Sequence, residues 1–594
     1  MALDLCCVWE KMAASEVEFD LEKVDMLEQT EDPVERVFDS KYAARKILEA
    51  HPDASTSSYL LYRRGLNHIA TEELAEGERL LVAALSTTTT PSPSPDHQDD
   101  PQDHHADHDD ENTTTIPPPQ DLGPLPSLDA HNSLAVLWAN RGEPQRAEHH
   151  IHQALVIYKS TPKPPPHIVP PPFQTQEVDQ KERVKALETL HTTSLFVMAQ
   201  IASAQGRAEE SAQCCHATLE RQLDEDHGHL PPAPFEWADN ATKLASYYAT
   251  RNAFGTASAL INAAWIVLHA SPSSTHPDAL EQRSFAVADL NMAAASLIVD
   301  LLLAWAGGQP GEYTPQTSSF SSLFSAAAGY DDSHDIPPSP LHSLSLNPAP
   351  DFAAAKPSFL QGMKAVKACL DTYVLDGFVS KHVEASLLMG ALYANLARFA
   401  PDPSVQTKLI KRKINLLHPL MTSLSYAHFY SAWLRLSFQI GSSYAQIFDT
   451  KAASGTHTPA RLNQVAVKAI ASLSVYLTVA HGSTPAGEHD EEDAPSEDVP
   501  FNPASVKVPD EALGDYVMAR HLRGKLYTRL SADTVSATVE NLDQAEQDYQ
   551  AIDALLTARK DSISPEDIDP QIGAMTSEML TLIPLLKNKA SQAR

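Results

Sequence analysis

Apolar residues recur every three or four positions through most of the chain, the spacing of α-helices with one buried face. In the second half this spacing predicts helices at 356–371, 379–399, 405–421, 426–449, 461–480, 511–530 and 534–559, with a final helix that ends near 589. Within 379–399, the apolar residues predict a buried stripe along one face: Leu387, Leu388, Ala391, Leu392 and Leu396. The pattern therefore predicts an all-α fold.

Segments without this periodicity interrupt the helices. Residues 87–127, 307–350 and 482–509 contain too few apolar residues to offset the entropy lost on ordering, and 161–172 is a proline run. We expect disordered inserts there. The predicted organisation is an acidic, partly disordered segment at 1–39, an N-terminal helical array at 40–306, a disordered linker at 307–350 and a C-terminal region of helical hairpins at 351–594.

A repeat of small residues runs through the N-terminal array. Tetratricopeptide (TPR) units are helix pairs in which small residues let the two helices approach closely. Here the small residues are spaced by twelve and then seven positions in four sets: Gly65, Gly77, Ala84; Ala135, Ala147, Ala154; Ala199, Ser211, Thr218; and Ala245, Ala257, Ala264. The repeat predicts a TPR-like, right-handed helical solenoid of stacked antiparallel helix pairs, with a generic helical bundle as the alternative.

Two further features of the repeat agree with helix pairs. The fourth residue after each middle small residue is apolar in every set: Leu81, Ile151, Cys215 and Ile261. Gly142 and Gly206 take matching places between the helices, where a helix C terminus favours a left-handed residue. The sets are not separated by the regular period of about 34 residues, because inserts lie between them.

The net charge limits the classes of partner, and the cysteine content indicates the cellular compartment. The formal net charge is −33, which disfavours nucleic acid and anionic membranes and favours a partner with a cationic face; solubility alone is the alternative explanation. The apolar stretch 292–306 is shorter than a membrane span and contains Asp300, so we expect a core helix there rather than membrane insertion. Five cysteines without a CxxC motif fit a reduced, cytoplasmic setting.

Residues that could support catalysis or metal binding do not form a convincing site. The Asp- and His-rich run 96–111 holds ligand-type residues, but its Thr, Pro and Asp flanks cannot fix a geometry. Cys215 and His216 are adjacent on a helix and point apart, so they are a poor nucleophile pair, and Cys214 is expected in the core. We therefore expect no enzyme activity, no cofactor and no metal.

A TPR-like array instead offers a groove lined by the first helix of each pair. The positions one, three and six residues from the first small residue would line it: Asn132, Val136, Phe196, Gln200, Asp239, Thr242 and Ser246. Each residue alone could equally be solvated surface. Together they predict a groove for a peptide or a helix.

Several motifs resemble one family, and they occur in the family's order. These are 40–45 (SKYAAR), 64–69 (RGLNHI) with 71–74 (TEEL), 132–138, 215–223 (CHATLERQL), 236–241 (EWADNA), 376–379 (DGFV) with 382–384 (HVE), and 411–414 (KRKI) with 417–420 (LHPL). Together they resemble the KIF-binding protein (kinesin-binding protein) family from about residue 40 to past 530.

The resemblance implies a two-part helical solenoid that grips the microtubule-binding face of a kinesin motor domain. Its motor contacts correspond to 195–222 and 237–248, with a further contact at about 449–458. Gln200 and Gln222 match family contact positions in identity, whereas Val197 and Lys243 occupy contact positions with another residue type. The complete candidate set is Phe196, Val197, Gln200, Arg221, Gln222, Asp239, Thr242, Lys243, Ser246, Asp449 and Lys451.

The resulting hypothesis is a non-catalytic kinesin inhibitor that acts by occlusion. It is expected to be a monomer in the cytoplasm, associated with the cytoskeleton, and to affect microtubule-based transport, including that of mitochondria. One alternative is a generic TPR scaffold or co-chaperone adaptor, although such clamps usually hold a carboxylate with Lys and Arg, which the predicted groove lacks. The other is an enzyme of unrecognised type, for which no set of acid, base and nucleophile was found.

Overall fold

The computed structural model describes residues 18–30, 38–51, 57–86, 122–162, 174–223, 233–271, 276–309, 336–481, 513–558 and 570–592, with residues 55, 231 and 311. These residues form nineteen helices and no strand. The helices are α1 (Glu18–Glu28), α2 (Asp39–Ala50), α3 (Ser58–Ala70), α4 (Leu74–Ser86), α5 (Pro124–Asn140), α6 (Pro144–Ser160), α7 (Gln174–Ala204), α8 (Ala208–Gln222), α9 (Pro234–Thr250), α10 (Phe254–Ala270), α11 (Pro277–Gly307), α12 (Phe352–Thr372), α13 (Val379–Phe399), α14 (Pro403–Ser423), α15 (Tyr430–Ala453), α16 (Pro459–Ala480), α17 (Leu513–Arg529), α18 (Val535–Ala558) and α19 (Pro570–Gln592). The all-α prediction is confirmed.

The chain divides into two compact units, residues 1–229 and 230–594. Consecutive helices pack against each other within each unit, as in a solenoid of stacked helix pairs. The first unit holds α1 to α8 and the second holds α9 to α19. Helices α9, α10 and α11, which fall within the N-terminal array predicted at 40–306, therefore lie in the second unit.

The repeated small residues lie where two helices of a pair approach most closely. A Cβ atom added at Gly65 of α3 would come within 2.8 Å of the Leu81 side chain on α4, and one added at Gly77 within 2.7 Å of Ile69. The alanines at these positions in α5–α6 and α9–α10 are at most 1% exposed. The four predicted helix pairs are therefore α3–α4, α5–α6, α7–α8 and α9–α10.

The same turn, with one residue in the left-handed conformation, joins the two helices of all four pairs. Gly142 and Gly206 have φ of 75°, as the sequence predicted, and Glu72 and Asn252 take the matching positions with φ of 63° and 60°. The backbone N–H of the next residue donates to a carbonyl five residues earlier in each turn, for example from Glu143 to Trp138 at 3.0 Å. This hydrogen bond satisfies a carbonyl that the helix end leaves unpaired.

The helices predicted in the second half are present. Residues 379–399 form α13 as predicted, and α14, α16, α17 and α18 begin within about two residues of their expected positions, whereas α15 begins four residues late. Asp351 and Asp402 cap α12 and α14 by accepting backbone N–H groups at 2.9 and 2.8 Å. In the predicted stripe, Leu392 and Leu396 are buried and the other three residues are half-buried.

Helix α11 forms part of the core of the second unit. It packs against α9, α10, α12 and α13, and Ile298, Leu301 and Leu302 on it are inaccessible to solvent. Among the described residues, α11 and α16 are long and apolar enough to cross a membrane by length and composition alone. Burial against neighbouring helices explains the apolar character of α11, so the core helix predicted at 292–306 is present.

Residues 336–350, inside the segment predicted to be a disordered linker, make defined contacts in the structure. Leu341 is 3% exposed, and the indole Nε1 of Trp265 on α10 donates to the carbonyl of Pro337 at 2.7 Å. The insert predicted at 87–127 is wrong for its last residues, because 124–127 form the first turn of α5. Residues 87–121, 163–172, 312–335 and 482–509 of the predicted inserts lie outside the described residues, as does the Asp- and His-rich run 96–111.

Candidate partner-binding surface

The candidate residues of the first unit lie on α7 and α8. Phe196 and Gln200 are one helical turn apart on α7 and both are exposed; Phe196, at 45%, is an unusually accessible aromatic residue. Val136 on the neighbouring helix α5 is also exposed, at 40%. Helices α5 and α7 therefore each carry an exposed apolar residue, and α7 also carries an exposed glutamine; the groove itself stays a prediction.

Arg221 on α8 is held by residues of its own unit. Its guanidinium forms an ion pair with Glu188, donates to the Thr192 hydroxyl at 3.2 Å and lies 5.7 Å from the centre of the Tyr158 ring. Tyr158 in turn donates to Glu188 at 2.9 Å. This network positions Arg221 and leaves it 27% exposed, so a partner can reach only its edge.

Gln222 follows Arg221 and is half-buried. The hydroxyl of Ser211 donates to the Ala199 carbonyl at 2.8 Å, which places Gln200 beside the start of α8. Gln222 ends α8, near Thr192 of α7. With a rise of about 1.5 Å per residue, the two glutamines are separated by about 12 Å along α7, so they would contact different parts of a partner.

The candidate residues of α9, in the second unit, form one stripe. Asp239, Thr242, Lys243 and Ser246 follow helical spacing, and all are exposed except the half-buried Thr242. Lys243 and Asp239 form an ion pair at 2.7 Å with side chains 72% and 60% exposed. Because both are well solvated, this ion pair adds little stability and either residue is available to a partner.

Asp449 and Lys451, near the end of α15, have different surroundings. Asp449 accepts from Lys525 at 2.9 Å and from Arg529 at 2.5 Å. Lys451 is half-buried, and its pKa is lowered first by burial and then by Lys411 and Arg461. Lys451 thus belongs to a cationic cluster that the run at 411–413 could have suggested, although the sequence did not place that run beside α15.

Two residues nominated from the sequence lie inside the fold. Val197 is 2% exposed and packs with Ile151 and Met198 in the core of the first unit. Asn132 is 2% exposed; its amide donates to the Leu190 carbonyl at 2.9 Å and accepts from the Ser194 hydroxyl at 2.8 Å. Asn132 therefore joins α5 to α7 rather than lining a groove, and Val197 has almost no surface that a partner could contact.

The cysteine and histidine side chains on α8 have the electrostatics of packed residues. Burial raises the pKa of the Cys214 and Cys215 thiols and lowers the pKa of His216 to about 4. A reactive thiolate needs a lowered pKa and a nearby cation or base, which this environment does not provide. Across the described parts of the chain, no group of three or more His, Cys, Asp or Glu residues could hold a metal ion.

Comparisons with known proteins give matches along most of the chain. Residues 322–589 match a family model described as KIF-1 binding protein C terminal. The KIF-binding protein of Danio rerio is 24% identical over 90% of this chain and 83% of its own length. The KIF-binding protein of Gallus gallus is 24% identical over 94% of both chains, and that of Homo sapiens is 22% identical over 88% of this chain and 82% of its own.

A solved structure of kinesin binding protein shares the fold. It covers 98% of each chain with a TM-score of 0.57 at 19% sequence identity. None of the relatives named here carries the name of an enzyme. The family model, the relatives that match 88–94% of the chain and the shared fold confirm the resemblance to the KIF-binding protein family that the ordered motifs predicted.

Proposed function

We propose that this protein binds kinesin motor domains without catalysing a reaction and, by covering their microtubule-binding face, keeps them off the microtubule. The observation that carries the proposal is that proteins named KIF-binding protein match 88–94% of this chain in three vertebrates. The relatives' name supports kinesin binding, and the occlusion mechanism is our further step.

Electrostatics supports the proposed mode of inhibition. Microtubules are acidic, so the motor face that binds them must be cationic. A chain with a net charge of −33 attracts that face over long range. Long-range attraction of this kind changes the association rate and its salt dependence more than it changes the affinity.

Exposed side chains on α7 support binding by a groove. Phe196 supplies a large apolar surface at little entropic cost, and Gln200 one turn away can donate and accept hydrogen bonds. A helix of the partner laid across α5 and α7 would cover Phe196 and Val136 together. The proposed contact set is Phe196, Gln200, Arg221, Gln222, Asp239, Thr242, Lys243, Ser246, Asp449 and Lys451.

The test uses the purified full chain with motor domains from several kinesin classes. We expect the protein to capture motors of at least one class and to reduce their landing on microtubules, with no nucleotide required by the protein itself. Motor landing that stays unchanged at saturating protein would rule out occlusion. Capture with unchanged landing would retain kinesin binding and contradict the inhibitory mechanism.

A pair of substitutions tests the placement of the contacts. Gln200→Ala with Gln222→Ala should weaken motor capture by about 5- to 30-fold, since two hydrogen-bonding contacts are worth about 1–2 kcal/mol together. Gln213→Ala is the matched control, because Gln213 is exposed on α8 and lies about two and a half helical turns before Gln222, on the opposite face of the helix. Equal capture by both variants, with unchanged helicity, would show that the contacts lie elsewhere.

The remaining features of the hypothesis follow from kinesin binding. We propose that the protein acts as a monomer in the cytoplasm beside the cytoskeleton, binding neither nucleic acid nor membranes. Loss of the protein should then alter microtubule-based transport, including the distribution of mitochondria. Sedimentation of the purified chain checks the monomer, and organelle tracking in depleted cells checks the transport effect.

A further inference from the structure

Residues 336–350, here called the strap, connect two helices of the second unit. The Pro337 carbonyl accepts from Trp265 on α10 at 2.7 Å, and the Pro340 carbonyl accepts from the amide of Gln361 on α12 at 2.7 Å. Leu341, the residue after Pro340, is buried. Hydrogen bonds to α10 and α12 and the buried Leu341 therefore hold a segment that contains no helix.

Ser339 lies at the centre of these contacts. Its hydroxyl donates to the side-chain Oδ1 of Asn262 on α10, and its Oγ accepts the backbone N–H of Leu341 at 3.0 Å. Ser339 itself is half-buried, and Pro337 and Pro338 before it are exposed. One hydroxyl thus joins the strap to α10 and shapes the turn that buries Leu341.

Ser339 is followed by Pro340. A serine directly before a proline, in an extended and accessible segment, is the substrate pattern of proline-directed protein kinases. Among the described residues, Thr161, Ser271 and Thr458 also precede a proline. Ser271 is buried, the Thr161 hydroxyl donates within its own helix end, and Thr458 lies at the start of α16. Ser339 differs because its hydroxyl links two elements.

We propose that Ser339 is a phosphorylation site for a proline-directed kinase and that its modification releases the strap from α10. The γ-phosphoryl group of ATP moves to Ser339 Oγ; the new Oγ–P bond replaces the bond from γ-phosphorus to the bridging oxygen, which leaves with ADP. The hydroxyl proton passes to the kinase. Brief opening of the strap exposes the serine, and the phosphate then holds the strap open.

The docked strap cannot accommodate the product. Phosphoserine carries a charge of about −1.5 to −2 at pH 7 and only acceptor oxygens at the modified position. The donated hydrogen bond to Asn262 is lost, and a strongly hydrated anion would have to enter a half-buried site. The seventeen residues of α10, FGTASALINAAWIVLHA, include no Lys or Arg that could pair with the phosphate.

Hydrogen exchange on the full chain measures the release. The chain is treated with a proline-directed kinase and ATP, and mass spectrometry maps the modified serines and the exchange of peptides within 336–350. We expect at least tenfold faster exchange of the strap amides, Leu341 included, with little change in α10. The Ser339→Ala chain treated with the same kinase controls for phosphorylation elsewhere.

Substitutions supply a second measurement that does not need the kinase. Ser339→Asp should accelerate strap exchange, whereas Ser343→Asp adds the same charge at an exposed strap position and should not. Three results would overturn the proposal. They are unchanged exchange after Ser339 phosphorylation, slower exchange from pairing with a lysine such as Lys364 on α12, and no modification of Ser339 in the folded chain although a peptide of 333–346 is phosphorylated.

Discussion

Arg63 in the N-terminal unit and Asp548 in the C-terminal unit each form the centre of a buried ion triad, with opposite signs. Arg63 is 1% exposed and binds Asp25 at 2.5 Å and Glu28 at 2.8 Å, both on α1. Asp548, on α18, is inaccessible to solvent and binds Arg520 at 3.0 Å and Arg523 at 2.6 Å, both on α17. One triad joins α1 to α3, and the other joins α17 to α18.

The central charges of the two triads differ in sign because the helices that pack against them carry different charged residues. The N-terminal segment is acidic, so α1 brings two carboxylates to a single guanidinium. Helix α17 carries arginines three positions apart, which face the same side and meet a single carboxylate. Burial makes each central charge dependent on its partners, since the desolvation penalty must be offset by ion pairs and hydrogen bonds. Both triads should therefore be sensitive to loss of the centre.

The largest effect is expected from Asp548→Ala. It removes the carboxylate that pairs with both half-buried guanidiniums, which should lower the free energy of unfolding of the C-terminal unit by about 3–5 kcal/mol. Asp449→Ala is the matched control, because Asp449 also pairs with two cations of α17 but is 40% exposed. The control should cost about 1 kcal/mol or less. Urea unfolding checks both, and equal losses would contradict the role of burial.

The next effect is expected from Arg63→Met. Asp25 and Glu28 lose their shared cation while the methionine keeps most of the packing volume, so α1 should detach at a cost of about 3 kcal/mol. Hydrogen exchange of α1 and proteolysis between α1 and α2 provide the measurement. Arg79→Met removes an arginine of α4 whose ion pair with Glu76 is exposed, and it should leave α1 protected. Loss of α1 protection in both variants would argue against a specific triad.

Lys413 is a buried cation that has no carboxylate partner among the described residues. Its replacement should raise the free energy of unfolding, whereas the two substitutions above lower it. It is 7% exposed on α14 and donates to Gln439 at 2.7 Å, and burial lowers its pKa to about 8 from 10.5. Below pH 8 the folded state holds a desolvated charge, so Lys413→Met should stabilise the C-terminal unit by about 2 kcal/mol at pH 7.

The pH dependence of that difference is a sharper measurement. Between pH 8 and 10.5 folded Lys413 loses its proton before the unfolded chain does, so the wild-type unit gains stability that a chain with methionine at this position cannot gain. The stability advantage of Lys413→Met should shrink as the pH rises through this range. An advantage that stays constant with pH would mean that packing, and not charge, causes it.

The smallest changes in stability are expected at the left-handed turns, and they should differ between the two units. Glu72→Gly should stabilise the first unit by about 0.5–1 kcal/mol, since a left-handed φ strains a residue with a Cβ atom. Asn252→Gly in the second unit should gain less, because asparagine tolerates this conformation. Gly142→Ala, where an added Cβ atom meets nothing within 4 Å, should cost about 1 kcal/mol through the backbone alone. Thermal unfolding of the three variants tests the order.

The helix pairs could be predicted from sequence because close approach requires small residues at fixed spacing. In the first pair, Gly65 and Gly77 show this spacing directly in the sequence. The left-handed turns at Glu72 and Asn252 could not be predicted, since neither residue is a glycine. Local patterns determine helix ends and the contact inside a pair, so α13 was placed correctly.

The candidate surface was harder to predict from the sequence. It depends on which face of a helix each residue occupies and on contacts with residues far away in the chain. Phe196 and Val197 are neighbours in sequence, yet one is exposed and the other lies in the core. Asn132 has the polarity of a groove residue, but its partners at 190 and 194 lie 58 and 62 positions away. Glu188, which holds Arg221, is likewise 33 positions distant. No local pattern reports such contacts.

The repeated turn that closes each helix pair has a consequence for how the chain tolerates added length. The turn and the small residues together set a twelve-residue register inside a pair, so an insertion there would misalign two packed surfaces. The long segments rich in proline, serine and acidic residues begin after α4, α6, α11 and α16, never within the four repeat pairs. Fluorescent tags or affinity sequences placed at these junctions should leave both units folded, which makes the junctions convenient attachment points for single-molecule work.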